Sequence, residues 1–333
     1  MTLLHMDGFD QFANINGAAA TSTTLATAGY ESTTSGTDSL VVTQGREAGS
    51  FAIRLRQDST TGNAASLSKT ISTADPVVTF GFAYMATERS KIVQIEGLID
   101  LEWPVGCRLN GVDGEAIPIR NIWYYYELQV DKTAQMLRLY INNRLDIEAP
   151  LPAEAGPMTV YKLKFGSGVT GTAKATQLID DLVMSDTAGT DFNARKGPIA
   201  ITTRFPQADA TADWEGSVAG PLWPLVSKRP PEASSYIQSN TSGNEATFTS
   251  ATPLPNDSPV YALGIVTRAL KTDIDKRTIG LVWGDGDNRL EKINAELTTE
   301  NKYYYALFEA PAPGQAWTKE IVESNSFGVK VRP

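Results

Sequence analysis

The run Val77-Val78-Thr79-Phe80-Gly81-Phe82-Ala83-Tyr84 is dense in β-branched and aromatic residues and has no helical spacing of its apolar positions. It predicts a long strand. The same signal recurs along the chain at residues 51–56, 91–95, 123–130, 136–141, 144–148, 161–165 and 178–184. It returns at 236–237, 246–248, 260–270, 278–283, 303–308 and 327–331. Clusters of Gly, Pro, Asn and Asp separate these runs, a spacing that indicates antiparallel sandwiches or barrels. Asn142-Asn143 lies between two alternating runs and suits a type I′ hairpin turn, because asparagine tolerates positive φ. The Ser/Thr/Ala-rich stretch 18–39 reads as an exposed early loop. The fold class expected is all-β, with two antiparallel, jelly-roll-like β-sandwich domains.

Proline sets the domain organisation. Pro198, Pro206, Pro221, Pro224, Pro230 and Pro231 punctuate residues 193–235 and exclude central-strand pairing there. The division expected is a first sandwich over 1–192, a connecting segment over 193–235 and a second sandwich over 236–333. Trp214 and Trp223 imply that part of the connection packs. Residues 121–128 and 301–308 echo one another, each beginning with Asn and carrying three consecutive tyrosines.

Residue scarcity excludes several chemistries. One cysteine, Cys107, allows no internal disulfide and no multi-cysteine zinc site. One histidine, His5, leaves the common His-dependent triads without a base unless it folds back onto a site. A formal net charge of −9 disfavours nucleic acid and anionic membranes as partners. No apolar run approaches the roughly 20 residues that span a bilayer. The first ten residues have no cationic segment and carry Asp7 and Asp10, so no signal peptide is expected.

Several segments together resemble concanavalin A-like lectin and laminin-G-type jelly rolls. Leu3-Leu4-His5-Met6-Asp7-Gly8-Phe9-Asp10 is similar to the opening of tailed-phage structural proteins. Residues 123–130 followed by Leu137-Arg138-Leu139-Tyr140-Ile141-Asn142-Asn143 resemble the family's central hairpin, with Asn143 where glycine is usual. Residues 177–186 resemble its last strand. In the second half, residues 260–271, Trp317-Thr318 and 326–331 resemble the C-terminal sandwich of virion proteins. The resemblance implies a virion structural component of the tail, collar or capsid surface, assembled in a host cytoplasm as a homo-oligomer against other virion proteins. None of its motifs is catalytic, and the function expected is non-enzymatic, with no cofactor. The alternative is a carbohydrate-binding module that attaches to a host-surface glycan.

Candidate sites are few. Glycosidases on this fold carry a Glu-x-Asp-x-Glu type strand motif, and its nearest counterpart here is Glu96-Gly97-Leu98-Ile99-Asp100-Leu101-Glu102. Asp100 and Glu102 fall on one face, but Glu96 is out of register, so no catalytic residue is assigned. Asp180 and Asp181 are weak candidates for metal ligation through carboxylate oxygens. The 285–288 segment, Asp-Gly-Asp-Asn, is explained by turn chemistry. Sugar stacking requires exposed aromatics, and Trp103, Trp123 and Tyr124 are the weak candidates, with Tyr126 also within the run. Trp103, beside Pro104, reads as the most exposed of them. Cys107 reads as a small buried hydrophobe and His5 as a strand residue with a satisfied partner.

Overall fold

The computed structural model describes all residues except 1–2, 14, 16, 37–38, 59–63, 167–173, 190, 256–258, 287–288 and 295. The chain divides into two compact units, Met1–Ile201 and Thr202–Pro333. The first contains β1 (Leu3–Asp7), α1 (Ala18–Thr27), β2 (Tyr30–Ser35), β3 (Leu40–Gln44), β4 (Phe51–Asp58), β5 (Ala64–Ser72), β6 (Val77–Ala86) and β7 (Lys91–Ile95). It continues with β8 (Ile99–Glu102), β9 (Arg108–Leu109), β10 (Val112–Asp113), β11 (Tyr124–Asp131), β12 (Met136–Ile141), β13 (Arg144–Pro150), β14 (Val160–Phe165) and β15 (Lys174–Asp186).

These strands form two antiparallel sheets. The eight-stranded sheet runs β13-β12-β11-β6-β15-β4-β3, with β1 also paired to β15. The seven-stranded sheet runs β10-β9-β8-β7-β14-β5-β2. Alternate residues of each strand point between the sheets. Phe80 and Phe82 of β6 and Tyr126 of β11 thus meet Tyr161 and Phe165 of β14. Phe82 and Phe165 pack edge-on with centroids 5.0 Å apart, and Phe82 stacks on Tyr126 at 5.7 Å. Such pairs add roughly 0.5–1.5 kcal/mol each beyond simple burial. A hydrogen-bonded chain also crosses between the sheets. Tyr30 of β2 donates to Asp7 Oδ2 (2.8 Å) and lies 2.9 Å from His5 Nε2, both on β1.

The turn at Asn142-Asn143 has φ values of 48° and 72°, both positive, as a type I′ turn requires. Asn142 Oδ1 also accepts from the Tyr125 backbone N–H at 2.9 Å, which ties the turn to the neighbouring strand β11.

The early Ser/Thr/Ala stretch departs from the loop expected for it. Residues 18–27 form α1, and Tyr30–Ser35 form β2. Alanine has the highest intrinsic helix propensity, and Leu25 and Thr21 are fully buried where α1 packs on β2 and β3. Those are the end strands of the two sheets, so the helix shields edges that would otherwise be open to pairing. The missing amphipathic pattern hid it: few large apolar residues mark its buried side.

The second unit contains β16 (Ala208–Ala212), β17 (Glu215–Gly216), α2 (Trp223–Val226), β18 (Ile237–Gln238), β19 (Glu245–Thr249), β20 (Leu263–Ala269), β21 (Thr278–Trp283), β22 (Leu290–Ile293), β23 (Lys302–Phe308), α3 (Lys319–Ser324) and β24 (Phe327–Arg332). A five-stranded sheet, β16-β19-β24-β21-β22, shares one core with the β20-β23 ribbon. In that core Trp283 meets Trp317 edge-on at 4.7 Å, and the Trp317 indole N–H donates to Phe308 O. The Thr318 hydroxyl accepts from Ile321 N–H and caps α3. Residues 202–235 contribute to this unit: Ala208–Ala212 pairs with β19, and Leu222, Trp214 and Trp223 pack on its core. The all-β class expected from the alternating runs is the one observed.

Candidate functional site

Residues paired across an antiparallel ladder share a face. With Tyr126, Leu128 and Val130 of β11 turned inward, Tyr125, Glu127 and Gln129 face outward on the eight-stranded sheet. Register carries this face across the sheet. Tyr125 is opposite Ala83, which is opposite Asp180. Glu127 is opposite Gly81, which is opposite Val183, and Gln129 is opposite Thr79, which is opposite Ser185.

At one end the face is partly open. Met85 of β6 is opposite Leu178, which is opposite Arg54, which is opposite Val41. Trp123 immediately precedes β11, two residues before outward-facing Tyr125. The neighbouring row brings Thr176 opposite Arg56, and the Thr87 hydroxyl accepts from Thr176 N–H at 3.0 Å. Trp123, Met85, Arg54, Arg56, Thr87 and Thr176 are all half-buried. Two guanidinium groups and hydroxyls therefore share one surface, with Trp123 just before β11, three strands from β4 in the sheet.

Further along, the face is buried and ionic. Arg195 pairs with Glu127 Oε2, and Gly197 N–H donates to Glu127 Oε1 at 3.0 Å. Burial pushes the Glu127 carboxyl above its ordinary range despite the opposing Arg195 charge. The Tyr125 phenol is raised further, by burial and then by the Glu127 and Asp181 carboxylates. Asp180 Oδ2 accepts from Arg46 N–H (2.9 Å), and its Oδ1 accepts from Asp181 N–H (2.8 Å). Asp181 Oδ1 accepts from Ile201 N–H (2.7 Å), and its Oδ2 pairs with Arg46 Nη2 at 3.0 Å. The register shift between Asp180 and Val183 bends β15 here and places Asp181 at φ 50°. Both carboxyls are held above their ordinary range, mainly by burial.

The residues singled out from sequence fall in different places. Trp103 is 4% exposed, and its indole N–H donates to Val105 O at 3.0 Å, so it is closed to a ligand rather than the most exposed aromatic. Tyr124 turns inward at the end of the core, edge-on to Tyr126, and its hydroxyl accepts from Ile119 N–H. Trp123, just before β11, is half-buried. The oxygens of Asp180 and Asp181 accept backbone N–H groups and the Arg46 guanidinium, which gives the pair a local structural use. Among the described residues no cluster of three His, Cys, Asp or Glu side chains is arranged to hold a metal ion. Asp100 and Glu102 share a face of β8, paired with Lys91 (2.8 Å) and Arg108 (3.8 Å) respectively. Asp287 and Asn288 lie outside the described residues. Cys107 is buried, and burial pushes its thiol up to about 12, which makes it unreactive.

Arg46, Arg54, Arg56, Tyr125, Glu127 and Arg195 were not picked out by sequence reasoning. The 123, 125, 127 alternation was a signal for part of the set. Arg46 and Arg195 come from irregular segments with no period to read.

No protein-family model matches the sequence, and no curated protein matches it. Solved structures similar to it include a sialidase, at 14% identity and a TM-score of 0.42, covering 56% of this chain. They also include alginate lyase AlgAT5 from polysaccharide lyase family 7, at 11% identity and 0.32 over 40% of this chain and 77% of the lyase. A third is the cellulose-induced protein Cip1, at 11% identity and 0.36 over 54% of this chain and 96% of that one. The match spans only 19% of the sialidase. The likeness is one of fold alone, an antiparallel jelly-roll-like β-sandwich. It corrects two expectations, that the protein is a non-enzymatic phage-particle component and that it is not an enzyme. The similar structures named are a sialidase, alginate lyases and Cip1, not phage-particle components.

Proposed function

We propose that the first unit recognises carbohydrate on the outward face of its eight-stranded sheet. The observation that carries this reading is the surface of half-buried Arg54, Arg56, Thr87 and Thr176, with half-buried Trp123 just before β11 of the same sheet. A pyranose ring offers an apolar C–H face and a polar hydroxyl edge. An indole fits the first, and guanidinium groups and hydroxyls fit the second. A small number of placed polar groups beside an aromatic surface is the usual composition of a small-molecule site. Arginine adds a planar fork of donors that suits a sugar bearing a carboxylate.

The test is titration calorimetry of the full chain against neutral and uronate-containing oligosaccharides. Trp123→Ala is expected to weaken binding by about tenfold or more, equivalent to about 1.4 kcal/mol. Trp103→Phe keeps the buried packing and is expected to change affinity little. Equal affinity of Trp123→Ala and the unaltered protein for every ligand bound would reject this face.

A further inference from the structure

Residues 192–201 cross the outward face as a strap without regular secondary structure. Four polar ties and one stacking contact hold it. Arg195 and Gly197 N–H both reach Glu127, Ile199 O accepts from Arg46 Nη2 at 2.8 Å, and Ile201 N–H reaches Asp181. The Arg195 guanidinium also lies over the Tyr140 ring, 3.7 Å from its centroid. Phe192 is buried, as is the strand surface that the strap covers.

Beneath the strap is a small cavity lined by Thr79, Gly81, Tyr125, Glu127 and Ser185, with Arg195 closing it. The Tyr125 hydroxyl points into it over Gly81, where an added Cβ would come within 2.5 Å of the oxygen. A side chain at Gly81 would compete with the phenol for this space. Tyr125 is 2% exposed, and its hydroxyl finds no hydrogen-bond partner among the described residues. A buried polar group left unpaired costs roughly 1–3 kcal/mol, and phenylalanine would fill the same volume without that cost. Thr79 and Ser185, also buried, place two more hydroxyl groups on the same wall.

Tyr125 and Glu127 follow Trp123 at alternate positions of one strand edge, roughly 7 Å per step. We propose that the strap-covered cavity is a second subsite of the same face. It takes a hydroxyl-bearing sugar residue, through hydrogen bonds from Tyr125, Thr79 and Ser185, once the Arg195–Glu127 clasp opens. The subsite extends the face proposed above and rests on that reading. A ligand long enough to pass Trp123 would displace the clasp and give the phenol its missing partner, whereas a disaccharide held at Trp123 would stop short of it.

The experiment compares a linear hexaglucan and a hexauronate with their disaccharides, using the full chain, Tyr125→Phe and Arg195→Ala. Tyr125→Phe is expected to weaken hexasaccharide binding at least about fivefold more than disaccharide binding, the effect of one hydrogen bond. Arg195→Ala is expected to strengthen hexasaccharide binding, because the clasp no longer competes. Hydrogen exchange of residues 192–201 gives a second readout, and the hexasaccharide is expected to accelerate it in the unaltered protein. Equal weakening for both ligand lengths, or strap exchange unchanged by bound hexasaccharide, would overturn the subsite while leaving the Trp123 face standing. No binding of either length, or binding indifferent to Trp123→Ala, would remove the face and the subsite together.

Discussion

Tyr30 illustrates how one hydroxyl can join two sheets. It lies on the seven-stranded sheet, and its partners Asp7 and His5 lie on the eight-stranded one. Burial lowers the His5 pKa well below its ordinary value and raises that of Asp7, so both groups depend on their neighbours in the interior. Tyr30→Phe keeps the ring and removes both bonds, and is expected to destabilise the first unit by about 1–3 kcal/mol in urea denaturation. Asp181 supplies a pH prediction. Its folded pKa is raised, chiefly by burial and then by Asp180, so the folded state holds the proton more tightly than the unfolded chain. That stabilisation is present at low pH and is lost as pH rises through the folded pKa. Asp181→Asn removes the titration, so its stability relative to the unaltered protein should improve from about pH 4, where the unfolded carboxyl ionises, to about pH 8. A difference that stays constant across that range would show that the Arg46 contact, not burial, controls the carboxyl.

At the scale of elements, the β12–β13 hairpin separates two roles that the sequence makes look alike. Both asparagines have positive φ, but it is the Asn142 side-chain oxygen that accepts a hydrogen bond from the Tyr125 N–H. Asn143→Gly is expected to be close to neutral, because glycine suits a left-handed position. Asn142→Gly is expected to cost about 1 kcal/mol through the lost bond, measured by the same denaturation. The strand pattern was legible for a related reason. Alternation in β12 reports directly on which side chains are buried, whereas the dense apolar and aromatic runs of β6 and β11 mark strands buried on both faces. Helix α1 was not, because its stability comes from Leu25 and Thr21 meeting two sheet edges that are remote in sequence.

On the scale of the whole molecule, each unit has its own core. Trp283 is 2% exposed at the centre of the second, against Trp317. Trp283→Ala is expected to cost roughly 3–5 kcal/mol and to lower the melting transition of residues 202–333. The transition of residues 1–201 should be unchanged in calorimetry, because that core contains none of the atoms removed. A chain ending at Ile201 should likewise fold cooperatively and retain whatever carbohydrate binding the full chain shows. Loss of folding in the shorter chain would mean that the first core is incomplete without the second unit.

The sequence by itself determined the all-β class, most strand positions and the Asn142-Asn143 turn. These are local consequences of side-chain period and of which residues tolerate positive φ. Tertiary structure alone decided which aromatics are accessible. Trp103, next to a proline in an irregular segment, had every local sign of exposure and is closed by packing, while Trp123 in a strand-like run remains half-open. It also decided the ionic site, since Arg46 and Arg195 reach Asp181 and Glu127 from segments more than sixty residues away. Burial, pairing and pKa depend on what the chain brings alongside a residue, and no local period records that.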